Sequence, residues 1–522
     1  MSEVGIPTRF EVRTFCPHSK MGYNYKYFLM YEFLRILRFH SAQLEQRMSK
    51  SGSPRFKPKM AKVRPLRTPT MLALDNFDFY YGPIFGDKWP SIRLGLLTRK
   101  KFVAVLNRFS TKFEVNKEIL KSLGTINLME SMQISEEKSN RLVKRKREMD
   151  QKAAQSHADD DDNNGQSGEE AEDGLVDEQD SSEEDIASRL DIGMEMFQPS
   201  TKVIDHGREE SKRWRRIRNR DKGALEMLTS KRVINDSNFK VTGLEGVDET
   251  LPTVEDVLVY PYNLELFAHP RMCIDGFPEP LKDRNNISSW WLLDGGSVLP
   301  VLALDLRDDD VVLDMCASPG GKSLLILQTG KFASLVCNDH SLFRLGQLRR
   351  ALALHVPANS EVSSQVILKR KDATSVEAWT DTDIYDKVLL DASCTTDRRA
   401  VTVDDGNIFA TTMTGERLDL PQLQTKMMVN ALRSVRVGGS VVYSTCTLSP
   451  TQNEMVVENA CALAGTHYGI QTVERSLKRM ENRLSNTGLF QFSTDCRRGS
   501  LLLPNLLSNY GPTYVCKISR IL

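Results

Sequence analysis

Short apolar runs recur along the second half of this chain with helical spacing between them, and the pattern is absent over much of the first half. The runs are Val311-Val-Leu-Asp314, Ser334-Leu-Val-Cys-Asn-Asp339, Gln365-Val-Ile-Leu368, Asp386-Lys-Val-Leu-Leu-Asp391 and Gly439-Ser-Val-Val-Tyr-Ser-Thr-Cys446. Continuous β-branched and leucine runs of this length read as strands covered on both faces. Helical spacing follows the first run at Leu324, Leu325 and Leu327, and follows the second over 342–355, which carries Arg344, Arg349 and Arg350. A further helix is expected to open at Ser449, with Pro450 in its first position and Gln452 three residues on as a capping box. The apolar run 290–303, which begins Trp290-Trp-Leu-Leu, is expected to pack beneath the sheet. Strands alternating with helices predict an α/β chain with a doubly wound parallel sheet and a ligand beyond the carboxyl ends of its strands.

The rest of the chain divides by the same criterion. Residues 1–69 look like an address: Arg47 to Arg67 contains eight basic residues and no acidic one, and Tyr31-Glu-Phe-Leu-Arg-Ile-Leu-Arg-Phe39 can form a short amphipathic helix. An acid-poor amphipathic start is what a mitochondrial presequence requires. Glu32, Glu45 and the residues before Met30 blur it, and translation from Met30 would put the helix first. Residues 70–134 are expected to form an N-terminal helical element, with aromatics around Gly82-Pro83 and Trp89-Pro90 and helical spacing through Phe102, Val105 and Leu106. Over 135–245 the pattern dissolves into charge blocks: Lys144-Arg-Lys-Arg147, then 14 acids without a base across 159–185, then Arg213-Trp-Arg-Arg-Ile-Arg-Asn-Arg220. Such blocks cannot bury apolar area to offset chain entropy and read as a disordered, solvated insertion. Its basic flanks could meet RNA phosphates, serve as a nuclear signal (the alternative address, nuclear or nucleolar), or neutralise the acidic middle. Residues 246–522 are expected to form the catalytic domain.

Composition changes the picture only by exclusion. The 522 residues carry a net charge of +1, which does not announce a nucleic-acid binder, because the charges are segregated. Nine cysteines without a Cys-x-x-Cys pair argue against a zinc site and a disulfide framework, so no metal is expected. No apolar run approaches the length of a membrane span.

Chemistry concentrates at the strand ends. The first run leads through Met315-Cys-Ala-Ser-Pro-Gly-Gly-Lys322 into a helix, a turn in which glycines admit a close backbone approach. It matches neither the dinucleotide fingerprint nor the triphosphate loop. Acids end or closely follow four successive runs: Asp314, Asp339, Asp372 and Asp391. Asp339 is suited to accept both hydroxyls of a ribose, and carboxylates without a phosphate cradle suit S-adenosylmethionine. Cys394 and Cys446 sit at the tips of the two later runs. A buried cysteine is usually an apolar filler. Two facing one ligand edge suggest covalent catalysis: a thiolate adding to C6 of a pyrimidine makes C5 nucleophilic enough to take a methyl group, and loss of the C5 proton then releases the cysteine.

The stretches Met315–Lys322, Leu390-Asp-Ala-Ser-Cys-Thr-Thr-Asp-Arg398 and Val442-Tyr-Ser-Thr-Cys-Thr-Leu-Ser449 resemble those of the NSUN family of RNA cytosine-5 methyltransferases. Tyr81-Gly-Pro, Trp89-Pro-Ser-Ile-Arg93 and Leu503-Pro-Asn-Leu with Tyr510-Gly-Pro are similar to the branch that modifies mitochondrial small-subunit ribosomal RNA. The resemblance implies Cys446 as nucleophile and Cys394 as the thiol that helps release product. It implies Gly320, Gly321, Lys322 and Ser323 along the methionine end of S-adenosylmethionine, Asp339 and Arg344 on the ribose side, and Asp372 near the adenine amino group. Asp391 would border the cofactor and meet the reacting cytosine near N3, where protonation assists attack, with Lys322 acting in both places. It also implies a ribosomal RNA substrate and a mitochondrial transcription-termination-factor-like partner. One departure stands out: the family has proline before its second cysteine, where this chain has Ser393, so the Cys394 loop is expected to be less preorganised. A DNA cytosine methyltransferase would need that Pro-Cys pair, and an amino-group methyltransferase an Asn/Asp-Pro-Pro-aromatic tip, absent here. Against a pure RNA-binding assembly factor stand both cysteines, Lys322 and the ligand acids. A transfer-RNA methyltransferase stays open. Residues 400–420 carry no readable motif.

Overall fold

The computed structural model describes residues 67–137 and 251–522, together with residue 141 and two short strand segments. Expectations for the N-terminal address and the charged insertion lie outside the described residues. The chain splits into two units, one comprising Met1–Met132 with Thr250–Leu522 and the other Gln133–Glu249. Within the second unit, residues Asn235–Asp236 pair antiparallel with Phe239–Lys240.

The first unit opens with helix α1, Pro69–Phe85. Thr68 caps it by accepting from the Met71 amide, and Pro69 fills the first position, where no amide hydrogen is needed. Ala73, Phe77, Tyr81 and Phe85 recur every fourth residue and form its buried stripe. Burying an aromatic side chain in such a stripe contributes about 1.5–3 kcal/mol, enough to dock a single helix. Helix α2, Trp89–Leu97, follows.

Next come strands β1 (Val103–Leu106), β2 (Ile126–Asn127), β3 (Thr253–Glu255), β4 (Leu266–Ala268) and β5 (Trp290–Leu293). Four of these make a sheet in the order β2-β4-β1-β5. Val105 and Leu106, expected on a helix, lie in β1. The reason is burial on every side: all four β1 residues are inside, between two antiparallel neighbours, where β-branched side chains pack best.

The larger sheet is built by β6 (Val311–Asp314), β7 (Ser334–Asn338), β8 (Val366–Lys369), β9 (Tyr385–Asp391), β10 (Val435–Thr445), β11 (Thr472–Ser476), β12 (Ser500–Leu502) and β13 (Thr513–Arg520). Together with β3 it runs in the order β8-β7-β6-β9-β10-β13-β11-β3, and β12 pairs with β13. The strands β8, β7, β6, β9 and β10 are mutually parallel, as expected of a doubly wound sheet. Strand β13 is antiparallel to β10 and was not anticipated. Strand order reverses direction at β6, so the crevice opens beyond its carboxyl end.

Helices cover the sheet: α3 (Val298–Ala303), α4 (Gly321–Thr329), α5 (Leu342–His355), α6 (Asp397–Ala400), α7 (Thr414–Ser434) and α8 (Glu454–Tyr468). Helix α3, from the tryptophan-led run, is entirely buried in the main core. Helix α8 opens at Glu454 rather than at Ser449. The capping box fails because the Gln452 side chain turns inward to Thr395 instead of reaching back to Ser449. Among the described residues, no helix is long and apolar enough to cross a membrane, and no group of three or more His, Cys, Asp or Glu side chains could hold a metal ion.

Candidate active site

The crevice is assembled from the tips of β6, β7, β9 and β10. Asp314 closes β6 and is buried, with Ser323 Oγ donating to its Oδ2 at 2.7 Å. Burial pushes its carboxyl up to about 7, against the Ser323 hydrogen bond. Its Oδ1 and the neighbouring Ser318 Oγ are buried without a partner. The turn then passes through Gly320, whose φ of +115° L side chains rarely adopt. A Cβ there would also stand 2.8 Å from Leu348 Cδ1, and one on Gly321 would stand 2.9 Å from Leu293 Cδ1.

Asp339 follows β7 and is buried, and its carboxylate pairs with Arg344 at 3.1 Å. The Ser341 amide donates to the same carboxylate, and Arg344 Nη2 donates to the Ser318 carbonyl at 2.6 Å. Arg344 thereby ties the acid of one strand tip to the glycine turn of the next. Ser323 is fully buried and spends its hydroxyl on Asp314, so it supports the turn from beneath. Asp372 is exposed and accepts from the amide and hydroxyl of Thr374, closing a turn of its own.

The reactive end lies across β9 and β10. Lys322 Nζ donates to Asp391 Oδ2 at 2.7 Å, and Ser444 Oγ donates to Asp391 Oδ1 at 2.8 Å. Burial would lower the lysine, but the Asp391 carboxylate outweighs it and holds the ammonium above its ordinary value. Cys394 and Cys446 stand with their sulfurs 3.3 Å apart. A hydrogen bond from the Cys394 thiol lowers Cys446 against the burial that opposes it, and nearby Lys322 acts in the same direction. The same contact, then burial, raises Cys394 well above an ordinary thiol. Cys446 is therefore the more acidic thiol of the pair, which favours Cys394 as the donor between them. The backbone amides of Thr396 and Cys446 point at Cys394 Sγ, at 3.4 and 3.3 Å. Thr396 itself sits at φ +50°, a strained conformation for a β-branched residue that only its surroundings can hold.

The structure thus brings Lys322, Asp391, Cys394 and Cys446 together and gathers Gly320, Gly321, Asp339 and Arg344 about the turn. Sequence reasoning missed four supports. Ser444 and Asp397 lie inside quoted motifs, and Tyr81 begins another, yet nothing in those motifs shows which way a side chain points. Asp397 is fully buried and accepts from Tyr81 Oη and the Leu448 amide, each at 2.8 Å. Gln424, on α7, carried no signal at all.

The donor set fits an adenosine carrying no phosphates. Buried Asp339 can accept from ribose hydroxyls, and the orphaned oxygens of Asp314 and Ser318 lie at the turn where a charged amino acid end would be solvated by protein.

A family model described as 16S rRNA methyltransferase RsmB/F matches residues 301–486. The chain is 44% identical to "5-cytosine rRNA methyltransferase nsun-4" of Caenorhabditis elegans, over 90% of this chain and 95% of that protein. It is 33% identical to "5-cytosine rRNA methyltransferase NSUN4" of Xenopus tropicalis, over 90% of this chain and 94% of that protein. A "tRNA (cytosine(34)-C(5))-methyltransferase, mitochondrial" of Danio rerio is 35% identical over 49% of this chain and 67% of its own length.

Proposed function

This chain belongs to the family of 5-cytosine rRNA methyltransferases, and from that premise we propose that it methylates mitochondrial small-subunit ribosomal RNA through a covalent cysteine adduct. It is an RNA cytosine-5 methyltransferase with S-adenosylmethionine as methyl donor. The observation that carries the mechanism is the pair of cysteine sulfurs 3.3 Å apart beside an ammonium–carboxylate pair.

When bound, S-adenosylmethionine supplies a methyl group activated by its sulfonium. Asp339 and Arg344 would hold its ribose, Gly320, Gly321 and Lys322 its amino acid end with Ser323 beneath, and Asp372 its adenine edge. Cys446 adds as thiolate to C6 of the cytosine, and the C5=C6 electron pair becomes available at C5. Asp391, paired with the Lys322 ammonium, meets the cytosine near N3, where protonation assists the attack. Once C5 is methylated, its remaining proton must leave. Cys446 is then covalently occupied and no longer raises Cys394, which leaves burial holding that thiol up and two backbone amides lowering it. Cys394, having yielded its proton to solvent, takes the C5 proton. The C5–H pair re-forms the C5=C6 bond, the C6–S bond breaks, and Cys446 leaves as thiolate.

The mitochondrial address rests on the basic, acid-poor start of the chain and on the resemblance to mitochondrial relatives. RNA affinity beyond the crevice is assigned to a transcription-termination-factor-like partner, by resemblance. Domain limits follow the sequence reading: an address over 1–69, an N-terminal element over 70–134, an insertion over 135–245 and the catalytic domain over 246–522. Bisulfite mapping of cytosolic and mitochondrial RNA, with and without the protein, tests the substrate. Loss of one site in mitochondrial small-subunit ribosomal RNA is expected. Loss of transfer-RNA or cytosolic sites instead would overturn the substrate and keep the chemistry.

A further inference from the structure

Cys394 sits on a loop whose neighbouring peptides are both held by buried amides. Gln424 is wholly buried on α7, and its Nε2 donates to the Ser393 carbonyl at 2.7 Å. Gln452 is 5% exposed just before α8, and its Oε1 accepts from the Thr395 amide at 3.2 Å. The two side chains join each other, Gln424 Nε2 donating to Gln452 Oε1 at 3.2 Å. Gln452 Nε2 also donates to Thr395 Oγ1, and the Gln452 carbonyl accepts from Tyr443 Oη at 2.6 Å, which anchors the unit to β10. The carbonyl before Cys394 and the amide after it are thus tied to one another through these two side chains and to β10, the strand that leads to Cys446.

This arrangement carries a cost. Gln424 Oε1 is buried without a partner, an expense a merely space-filling side chain would avoid. In a low-dielectric interior the amide bonds that remain are strong and directional. They act on a loop that also contains a strained residue, Thr396, and whose thiol stands 3.3 Å from Cys446 Sγ.

We infer that Gln424 and Gln452 are positioning residues that hold the Cys394 thiol in line for product release. The inference rests on the reading that Cys394 acts in release. The clamp does in this chain what a rigid backbone residue at position 393 would do: it fixes the Cys394 loop, here by side chains from distant elements.

The test uses the full-length protein, unmodified small-subunit ribosomal RNA transcribed in vitro, and S-adenosylmethionine with a labelled methyl group. Gln424→Met and Gln452→Met keep the volume and remove the amides. Single-turnover methyl transfer should stay within about threefold of the parent, while steady-state turnover falls about tenfold or more, as misplacement of a reacting group by an ångström does. Protein–RNA adduct resistant to denaturation should accumulate, with kcat/KM for S-adenosylmethionine unchanged because kcat and KM fall together. Cys394→Ala is the reference. If it accumulates adduct and the glutamine variants turn over at the parent rate, the clamp is overturned. If Cys394→Ala itself releases product normally, the release role of Cys394 falls instead. Should the methionine variants fail to fold, Gln424→Asn keeps a polar amide but not its reach, and the same accumulation is expected; its absence overturns the inference.

Discussion

Tyr81 Oη lies 2.8 Å from Asp397 Oδ2, both side chains are buried, and the two residues are 316 positions apart. Burial, then the Asp397 charge, raises the phenol well above its ordinary value, so it remains a donor. Asp397 also accepts from the Leu448 amide, its Oδ1 lies 2.6 Å from Thr395 Oγ1, and its own amide donates to the Cys446 carbonyl. One carboxylate therefore joins the N-terminal helix to both cysteine loops. Removing its phenolic donor by Tyr81→Phe leaves a buried carboxylate short of a partner, and should cost about 1–3 kcal/mol in urea unfolding. Adduct formation should slow with it. An unchanged unfolding midpoint would show that the contact contributes nothing.

The two thiols should fail in different ways. Cys446→Ala should lower methylation by roughly 10³–10⁶-fold, as loss of a nucleophile does, while S-adenosylmethionine binding by calorimetry stays intact. Cys394→Ala should leave a protein–RNA band that survives denaturing electrophoresis. Residual methylation by the first variant near the parent rate would dismiss the nucleophile.

Activity should depend on pH through Cys446. Its pKa is lowered below the ordinary 9.0 chiefly by the Cys394 hydrogen bond. Because the thiolate is the reactive form, kcat/KM should rise with pH through that lowered value and level off below pH 9. Cys394→Ala and Lys322→Met each remove an influence that lowers it, so the rise in single-turnover rate should move upward. A rising limb in the same place for all three proteins would contradict the assignment.

Asp314 should make the protein more stable in mild acid than in base. Its carboxyl is raised to about 7 when folded, against 3.8 unexposed to burial, so the folded state holds the proton more tightly. The contribution is complete below the unfolded value and is lost as pH climbs through the folded one, by roughly 2–4 kcal/mol. Asp314→Asn keeps an acceptor for Ser323, and thermal unfolding should show its advantage growing between pH 5 and pH 8. A constant difference would mean that the carboxyl titrates normally.

Gly320→Ala meets both a left-handed φ and the Leu348 side chain at 2.8 Å. Either the turn shifts or strain of about 1–3 kcal/mol is stored, and S-adenosylmethionine binding should weaken about tenfold by calorimetry.

The parallel sheet was legible because its strands are continuous apolar runs, and burial on both faces demands that composition. The cysteines, Lys322 and Asp391 were legible as motifs, because they sit within a few residues of strand ends. Helix α5 was read with both of its ends, Leu342 and His355. The segment after Phe102 was misread, since a four-residue buried strand and one turn of helix show the same apolar density. The inward turn of Gln452 was equally hidden, because a capping box and an inward-facing amide use the same letters.

Local sequence alone thus determined which residues end strands, which turn requires glycine, and which side chains near strand ends carry sulfur, ammonium and carboxylate. Only the tertiary structure decided that the sulfurs of Cys394 and Cys446 meet, that Lys322 is spent on Asp391, and that Tyr81, Asp397, Gln424 and Gln452 hold the two cysteine loops. Those contacts join residues from 28 to 316 positions apart. Their energies depend on burial and on distances of about 3 Å, which no periodicity along the chain encodes.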